Sequence, residues 1–348
     1  MDLSAGLKQP GVLAALGAAL LFGAGTPVAK LLLQGLNPWL LAGLLYLGSG
    51  LGMTLYRRIS GATSVRLSKS DMPWFAGAIF SGGVVAPVLL MFGLSGMPAA
   101  GASLLLNAEG VFTALLAWFA FKENFDRRIA LGMVAILAGA VILSWPSELH
   151  LAALWPALAV LAACFAWGLD NNLTRKVSLT DASWIAAVKG LVAGSVNLLL
   201  ALWLGSALPA ALQLASALLL GFFAYGLSLA LFVVALRHLG TARTGAYFSV
   251  APFFGALLAV AMGEVWTSSL LIAGGLMALG VLLHLTEQHR HAHSHEPIEH
   301  EHAHIHDEHH QHEHADGLAV EGHSHRHLHT ALRHDHAHYP DAHHRHGH

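Results

Sequence analysis

The 348-residue chain carries one long stretch of sequence twice. The segment Gly110-Val111-Phe112-Thr113-Ala114-Leu115-Leu116-Ala117 returns as Pro252-Phe253-Phe254-Gly255-Ala256-Leu257-Leu258-Ala259, and each copy runs on to a glutamate, Glu123 and Glu264. The period is near 142 residues and also carries Gly48 and Gly52 onto Gly190 and Gly194; a shift of 143 carries Phe22 and Gly25 onto Phe165 and Gly168. Self-similarity at a fixed period means one structural unit made twice.

Each copy holds five apolar stretches, each near the ~20 residues a helix needs to cross a bilayer. The ten are roughly 11–33, 37–56, 72–94, 98–121, 128–145, 152–173, 182–204, 213–236, 241–263 and 266–286. They are continuous, rich in Leu, Ala and Gly, and lack strand alternation, so helices rather than a barrel satisfy the backbone in lipid. Because five is odd, the second copy enters the membrane from the opposite side. The expected fold is an all-α membrane protein of ten transmembrane helices in two inverted five-helix repeats, residues 10–145 and 152–286, followed by a tail over 289–348. Inverted repeats are an architecture of secondary transporters.

Orientation follows from Lys and Arg in the short connections. With the N-terminus in the cytoplasm, the inner segments carry Lys8, Arg57, Arg58, Arg66, Lys69, Lys122, Arg127, Arg128, Arg175, Lys176, Arg237 and Arg243, and the outer connections carry none. Both termini are thereby expected in the cytoplasm and the chain in the inner (cytoplasmic) membrane. Trp39, Trp74, Trp145, Trp155, Trp184, Trp203 and Trp266 fall near span ends, where amphipathic rings sit. The first span is too long, and too well matched to the sixth, for a cleaved signal peptide. Cys164 is the single cysteine, so no internal disulfide forms. The formal net charge of −2 is segregated by loop side and tail, and no basic face for nucleic acid results. The sequence has no GxxxxGK phosphate loop, no paired carboxylates beside a nucleophile and no cofactor fingerprint, so neither an ATPase nor another enzyme is expected, and no cofactor is required. Pumping would draw on an ion gradient.

The motifs of the fourth and ninth spans resemble the EamA domain of the drug/metabolite transporter superfamily. They read Asn107-Ala108-Glu109-Gly110-Val111-Phe112-Thr113-Ala114-Leu115-Leu116-Ala117 through Lys122-Glu123, and Ser249-Val250-Ala251-Pro252-Phe253-Phe254-Gly255-Ala256-Leu257-Leu258-Ala259 through Gly263-Glu264. Ala235-Leu236-Arg237-His238-Leu239-Gly240-Thr241-Ala242 is similar to that family's link between its third and fourth helices. The resemblance covers both repeats and implies a central cavity, alternating access and small-metabolite cargo, often carried outward. Two departures stand out: Gly110 replaces the proline expected after Glu109, and Ala251 replaces the acid expected before Pro252. A substrate site would therefore be lopsided rather than duplicated.

A charge inside a membrane costs at least ~2.5–3.5 kcal/mol on insertion scales and needs a partner, a cavity or a function. Glu109 lies near the middle of the fourth span with Asn107 close by, and reads either as a proton-coupling group or as a structural partner of Lys189. Asp170, with Asn171 and Asn172, stands in the cytoplasmic third of the sixth span, as a gate or substrate contact, or as a wetted helix end paired with Arg175. Lys189 meets Glu109 or Asp170, and sequence does not choose between them. Lys30 is close enough to the outer end of the first span to snorkel. The candidate pathway residues are Glu109, Asn107, Asp170, Asn171 and Lys189. The small-xxx-small pairs Gly48/Gly52 and Gly190/Gly194 suit helix packing inside the protomer, with a homodimer as the weaker reading.

From His289 onward the chain holds 23 histidines in 60 residues, with ten acids and four arginines. A segment of this composition buries no core and is expected to be disordered when free. Its repeated His-x-His spacing presents neighbouring imidazoles along an extended strand, ligands suited to Zn, Ni, Co and Cu(II). The metal candidates are His291, His293 and His295; His300, His302, His304 and His306; His309, His310, His312 and His314; His323, His325, His327 and His329; His334, His336 and His338; and His343, His344, His346 and His348. Nearby Glu299, Glu301, Asp307 and Glu308 add oxygen donors; the alternative is a soft polar tail that buffers protons near pH 6.5.

The expectation for the whole chain is an ion-gradient-driven transporter of small metabolites or drugs, an exporter working by alternating access. Its partners are the bilayer, a small-molecule substrate and divalent metal ions at the tail. The alternative is a divalent transition-metal (Ni/Co/Zn) transporter with the tail as cytoplasmic sensor or buffer. Against it, Cys164 and His284 are the only Cys and His within the spans.

Overall fold

The structure is a computed structural model that describes residues 10–65, 67–121, 127–144, 151–177, 180–285, 290–295, 298–304, 323–329 and 332–337. The chain forms two compact units, Met1–Glu287 and Gln288–His348. The first is helical: α1 (Pro10–Leu32), α2 (Pro38–Ile59), α3 (Met72–Ala78), a π-helical segment Ile79–Val85, α4 (Ala86–Gly96), α5 (Ala99–Leu105), α6 (Ala108–Phe121) and α7 (Arg127–Ser144) make its first half. The second half is α8 (Leu151–Thr174), α9 (Ala182–Trp203), α10 (Ala211–Gly221), a π-helical segment Phe222–Leu227, α11 (Ser228–Phe248), α12 (Ala251–Ala261) and α13 (Ser268–Leu285). Among the described residues seven helical runs are long and apolar enough to cross a membrane, and Ala130–Ser144, Ala251–Ala261 and Ser268–Leu283 are shorter apolar helices.

Irregularities recur with the repeat. The π-helical segments begin at Ile79 and Phe222, and helix breaks fall at Leu106-Asn107 and at Ser249-Val250, each pair 143 positions apart. The packing repeats as well. Helix α1 lies against α11 and α12, while its counterpart α8 lies against α4 and α6; α2 packs on its own counterpart α9, and α7 on α13. Exchanging the halves therefore maps the main contacts onto themselves.

Local chemistry explains several of these features. Pro87 has no N–H to offer the carbonyl four residues back, at Gly83, and its ring crowds that carbonyl, so the helix widens just before it. Side chains from other spans take up the opened backbone: Asn197 Nδ2 donates to Gly83 O (3.3 Å) and Val84 O (3.1 Å), and Tyr46 Oη (2.6 Å) and Trp167 Nε1 (3.0 Å) both donate to Gly82 O. At the other half one expectation fails. The link near Arg237–Thr241, expected to separate spans 213–236 and 241–263, is helical, and α11 runs through it to Phe248. The first half breaks at Met97-Pro98, where proline removes a donor; the second has Thr241 at that place, so nothing in the backbone stops the helix.

The small-residue pairs work inside the protomer. A β-carbon at Gly190 would lie on the Gly50 backbone nitrogen and 2.8 Å from Tyr46 O, and one at Gly194 on the Leu47 nitrogen, so α2 and α9 meet backbone to backbone.

Charged side chains fasten two corners. Lys30, expected to snorkel, instead donates Nζ to the carbonyls of Leu94 (2.6 Å), Ser95 (3.3 Å) and Met97 (3.0 Å) at the end of α4. Those carbonyls have no partner within their own helix and face the cation at their negative dipole end, a closer prize than the interface. Glu264 accepts from the first amides of α5, Ala99 N (2.6 Å) and Ala100 N (2.8 Å). At the opposite end of the bundle Asp181 caps α9, accepting from Ser183 N (2.8 Å), Ser183 Oγ (2.6 Å) and Trp184 N (3.2 Å), and pairs with Arg57 of α2 at 3.0 Å. Partial burial works against the Asp181 carboxylate, but the hydrogen bonds from Ser183, Arg57 and Trp184 outweigh it and hold its pKa below the usual value. A depressed folded pKa stabilises above the unfolded pKa, and that stability is lost as pH falls through the folded one. The detergent-solubilised protein should therefore lose thermal stability below about pH 4. Asp181→Asn should flatten that limb, read as thermal midpoint against pH.

In the second unit the described residues are short strands. Strands β1 (Arg290–His295), β2 (Ile298–His304), β3 (His323–His329) and β4 (Leu332–Ala337) form two antiparallel ladders, β1 with β4 and β2 with β3.

Candidate functional site

The intramembrane charges gather where α6, α8, α9 and the first π-helical segment meet. Lys189 of α9 pairs with Asp170 of α8, and both side chains are buried, at 8% and 6% exposure. The choice that sequence left open for Lys189 is thus settled in favour of Asp170. Thr174 Oγ1 donates to Asp170 Oδ1 at 2.9 Å, one turn along α8. A glycine is required opposite, since a β-carbon at Gly82 would fall on Asp170 Oδ2. Asp170 is buried rather than wetted, its carboxylate turned inward toward Lys189. Ion pairs buried this completely are weak stabilisers, because desolvation offsets most of the Coulomb attraction. Their presence inside a membrane unit points to function.

Glu109 stands in the first turn of α6, just after the Leu106-Asn107 break. It accepts from Asn171 Nδ2 at 2.9 Å, and the same amide reaches Thr113 Oγ1 at 3.2 Å. Asn172 fixes the same seam by donating to Thr113 O (3.1 Å) and Gly168 O (2.8 Å). Asn171 is exposed. Trp155, Leu158, Phe165 and Leu169 form the lipid-facing stripe of α8, at 57%, 50%, 48% and 37% exposure. At 3.6 residues per turn Asn171 lies about 200° from the centre of that stripe. Its accessible surface therefore lies on the other side of α8 from that stripe. Asn107 does not join Glu109: it is buried in the break and donates to Leu104 O at 3.0 Å.

Beside the ion pair lies an aromatic group absent from the sequence reading. Phe22 contacts Trp167 (6.1 Å between ring centres), Tyr225 (5.9 Å) and Phe248 (5.5 Å), and Tyr46 contacts Tyr225 (5.3 Å). These rings come from both halves and meet at their interface. One signal could have found them: Trp167 is a tryptophan far from either span end, where its N–H must find a partner inside the protein. Among the described side chains no group of three or more His, Cys, Asp or Glu converges to hold a metal ion. Glu123 and the histidines at 306, 309, 310, 312, 314, 338, 343, 344, 346 and 348 lie outside the described residues.

Two interchangeable helical halves that meet on buried charges and aromatic rings, with a broken helix presenting an acid at the junction, define a multi-pass membrane carrier. The chain belongs to the EamA-like transporter family, which matches it at residues 9–145 and 154–286. It is similar to a protein of Methanothermobacter thermautotrophicus described as an uncharacterized transporter, 29% identical over 292 residues that cover 78% of this chain and 85% of that one. A shorter match, 34% identical over 84 residues, covers 24% of this chain and 28% of a probable amino-acid metabolite efflux pump of Salmonella typhimurium. A solved crystal structure shares the fold at a TM-score of 0.61 and 20% identity, over 78% of this chain and 95% of that one.

Proposed function

We propose that the protein is a secondary carrier of the inner membrane that exports small zwitterionic metabolites by alternating access, driven by an ion gradient. In this reading the seven long spans and three shorter apolar helices make ten membrane passes, the two halves are inverted relative to each other, and both termini are cytoplasmic. The observation that carries it is the buried Asp170–Lys189 pair next to the ring group of Phe22, Tyr46, Trp167 and Tyr225. A zwitterion offers one charge to each partner, so binding exchanges one buried ion pair for two without stranding a charge. The rings receive the apolar part. The Salmonella relative is described as a probable amino-acid metabolite efflux pump, which supports this reading. Glu109, hydrogen-bonded to the exposed Asn171, would take up or release the coupling proton.

The test is gradient-driven flux in proteoliposomes, with a panel of labelled amino acids and their derivatives. Proton-gradient-dependent movement of an organic zwitterion is expected, with Glu109→Gln losing at least tenfold of the gradient-dependent rate while substrate binding persists. Movement that ignores the gradient, or full coupling in Glu109→Gln, would remove the proton role. Transport of zinc, nickel or cobalt in place of organic zwitterions would replace this reading with that of a metal carrier.

A further inference from the structure

The two tail ladders lie on one continuous register. Arg290 pairs with Ala337 and His295 with Leu332; carrying the same count onward gives Ile298 with His329 and His304 with His323. Residues 290–295 and 298–304 thus pair with 332–337 and 323–329 at one constant count. Within each ladder histidines oppose histidines. His291 and His293 stand across from His336 and His334 in the first; His300, His302 and His304 stand across from His327, His325 and His323 in the second.

Alternate positions of a strand share a face, and directly opposed positions share it across the ladder. All of these histidines therefore occupy one face of their own ladder. Glu299 and Glu301 occupy the other, opposite Leu328 and Arg326, so they do not share the histidine face as the sequence reading had allowed. A slip of one residue would set His302 against Arg326 or Ser324, so the histidine pairing depends on this register.

We propose that each ladder is a binding site for a borderline divalent transition-metal ion, with ligands drawn from both strands, so that metal locks the ladder shut. Opposed strand positions lie about 4.5–5.5 Å apart, a span that two imidazoles sharing one ion can bridge. Without the ion the pairing has little apolar surface to hold it, and with the ion each ladder becomes a crosslink between segments distant in sequence. Metal binding and tail folding are then one equilibrium.

The test is hydrogen exchange of tail amides, followed by mass spectrometry, on the full-length protein in detergent with and without zinc. Zinc should slow exchange at least tenfold in both 290–304 and 323–337. His334→Ala with His336→Ala should abolish protection of 290–295 and leave 298–304 protected. The count-matched variant His343→Ala with His344→Ala, outside the ladders, should change neither. Any of three results would overturn the proposal: zinc bound without protection in either segment, equal loss in the count-matched variant, or full protection before metal is added. A single elution volume for every variant shows that the helical unit remains folded.

Discussion

Asp170→Asn is expected to abolish flux and to lower the thermal midpoint of the purified protein on the order of 10 °C, since stranding a buried charge costs about 3–5 kcal/mol. Lys189 would keep a buried ammonium without its ion-pair partner. An amide in place of the carboxylate still accepts from Thr174, so the loss is one of charge rather than of packing. The double variant Asp170→Asn with Lys189→Met separates the two roles of the pair. Removing both charges should restore most of the stability, because well-packed neutral groups replace a buried ion pair at little cost. It should leave flux absent if the charges receive substrate. Recovery of transport together with stability would show that the pair is only structural.

Gly190→Leu is expected to eliminate folded monodisperse protein. At the α2–α9 seam the obstruction is backbone: the Gly50 nitrogen, its α-carbon at 2.6 Å and Tyr46 O at 2.8 Å from the added β-carbon. No side chain can swing away, so the helices must separate along a contact that also includes Gly194 against Leu47. Overpacking in a tight core typically costs ~1–3 kcal/mol, and more where only backbone can yield. Gly190→Ala should already be destabilising. Gly275→Ala in α13 is the control, since a β-carbon there meets nothing within 4 Å. That change should be neutral or stabilising by up to ~1 kcal/mol through helix propensity. Fluorescence-detected size exclusion reads the series, and an unaffected Gly190→Leu peak would refute the backbone-contact account.

Much of the fold was legible without coordinates. Hydropathy runs and a repeat are local properties, so the helical spans, the two matched halves and the polar residues to examine could all be read along the chain. The glycine pairs belong to the same class, because close helix approach requires small residues whatever the partner. What was missed has a common cause. Lys30 caps the α4 carbonyls, Glu264 the α5 amides, and Tyr46 and Trp167 the opened carbonyl of Gly82, and in each case donor and acceptor come from different spans.

The site divides the same way. Glu109, Asp170, Asn171 and Lys189 announced themselves because ionisable and amide groups are conspicuous in apolar sequence. Their partners did not: whether Lys189 faces Asp170 or Glu109 depends on how far α9 is rotated and how deep α8 sits, and hydropathy is blind to rotation about a helix axis. The tail shows the same limit at short range. Its His-x-His alternation is plain in the chain, yet which histidine opposes which, and that Glu299 and Glu301 take the other face, follows only from strand register. Composition and period thus mark the apolar segments and the residues worth watching. Contacts between distant residues are settled by tertiary packing, where rotation, depth and register are chosen together by the whole assembly.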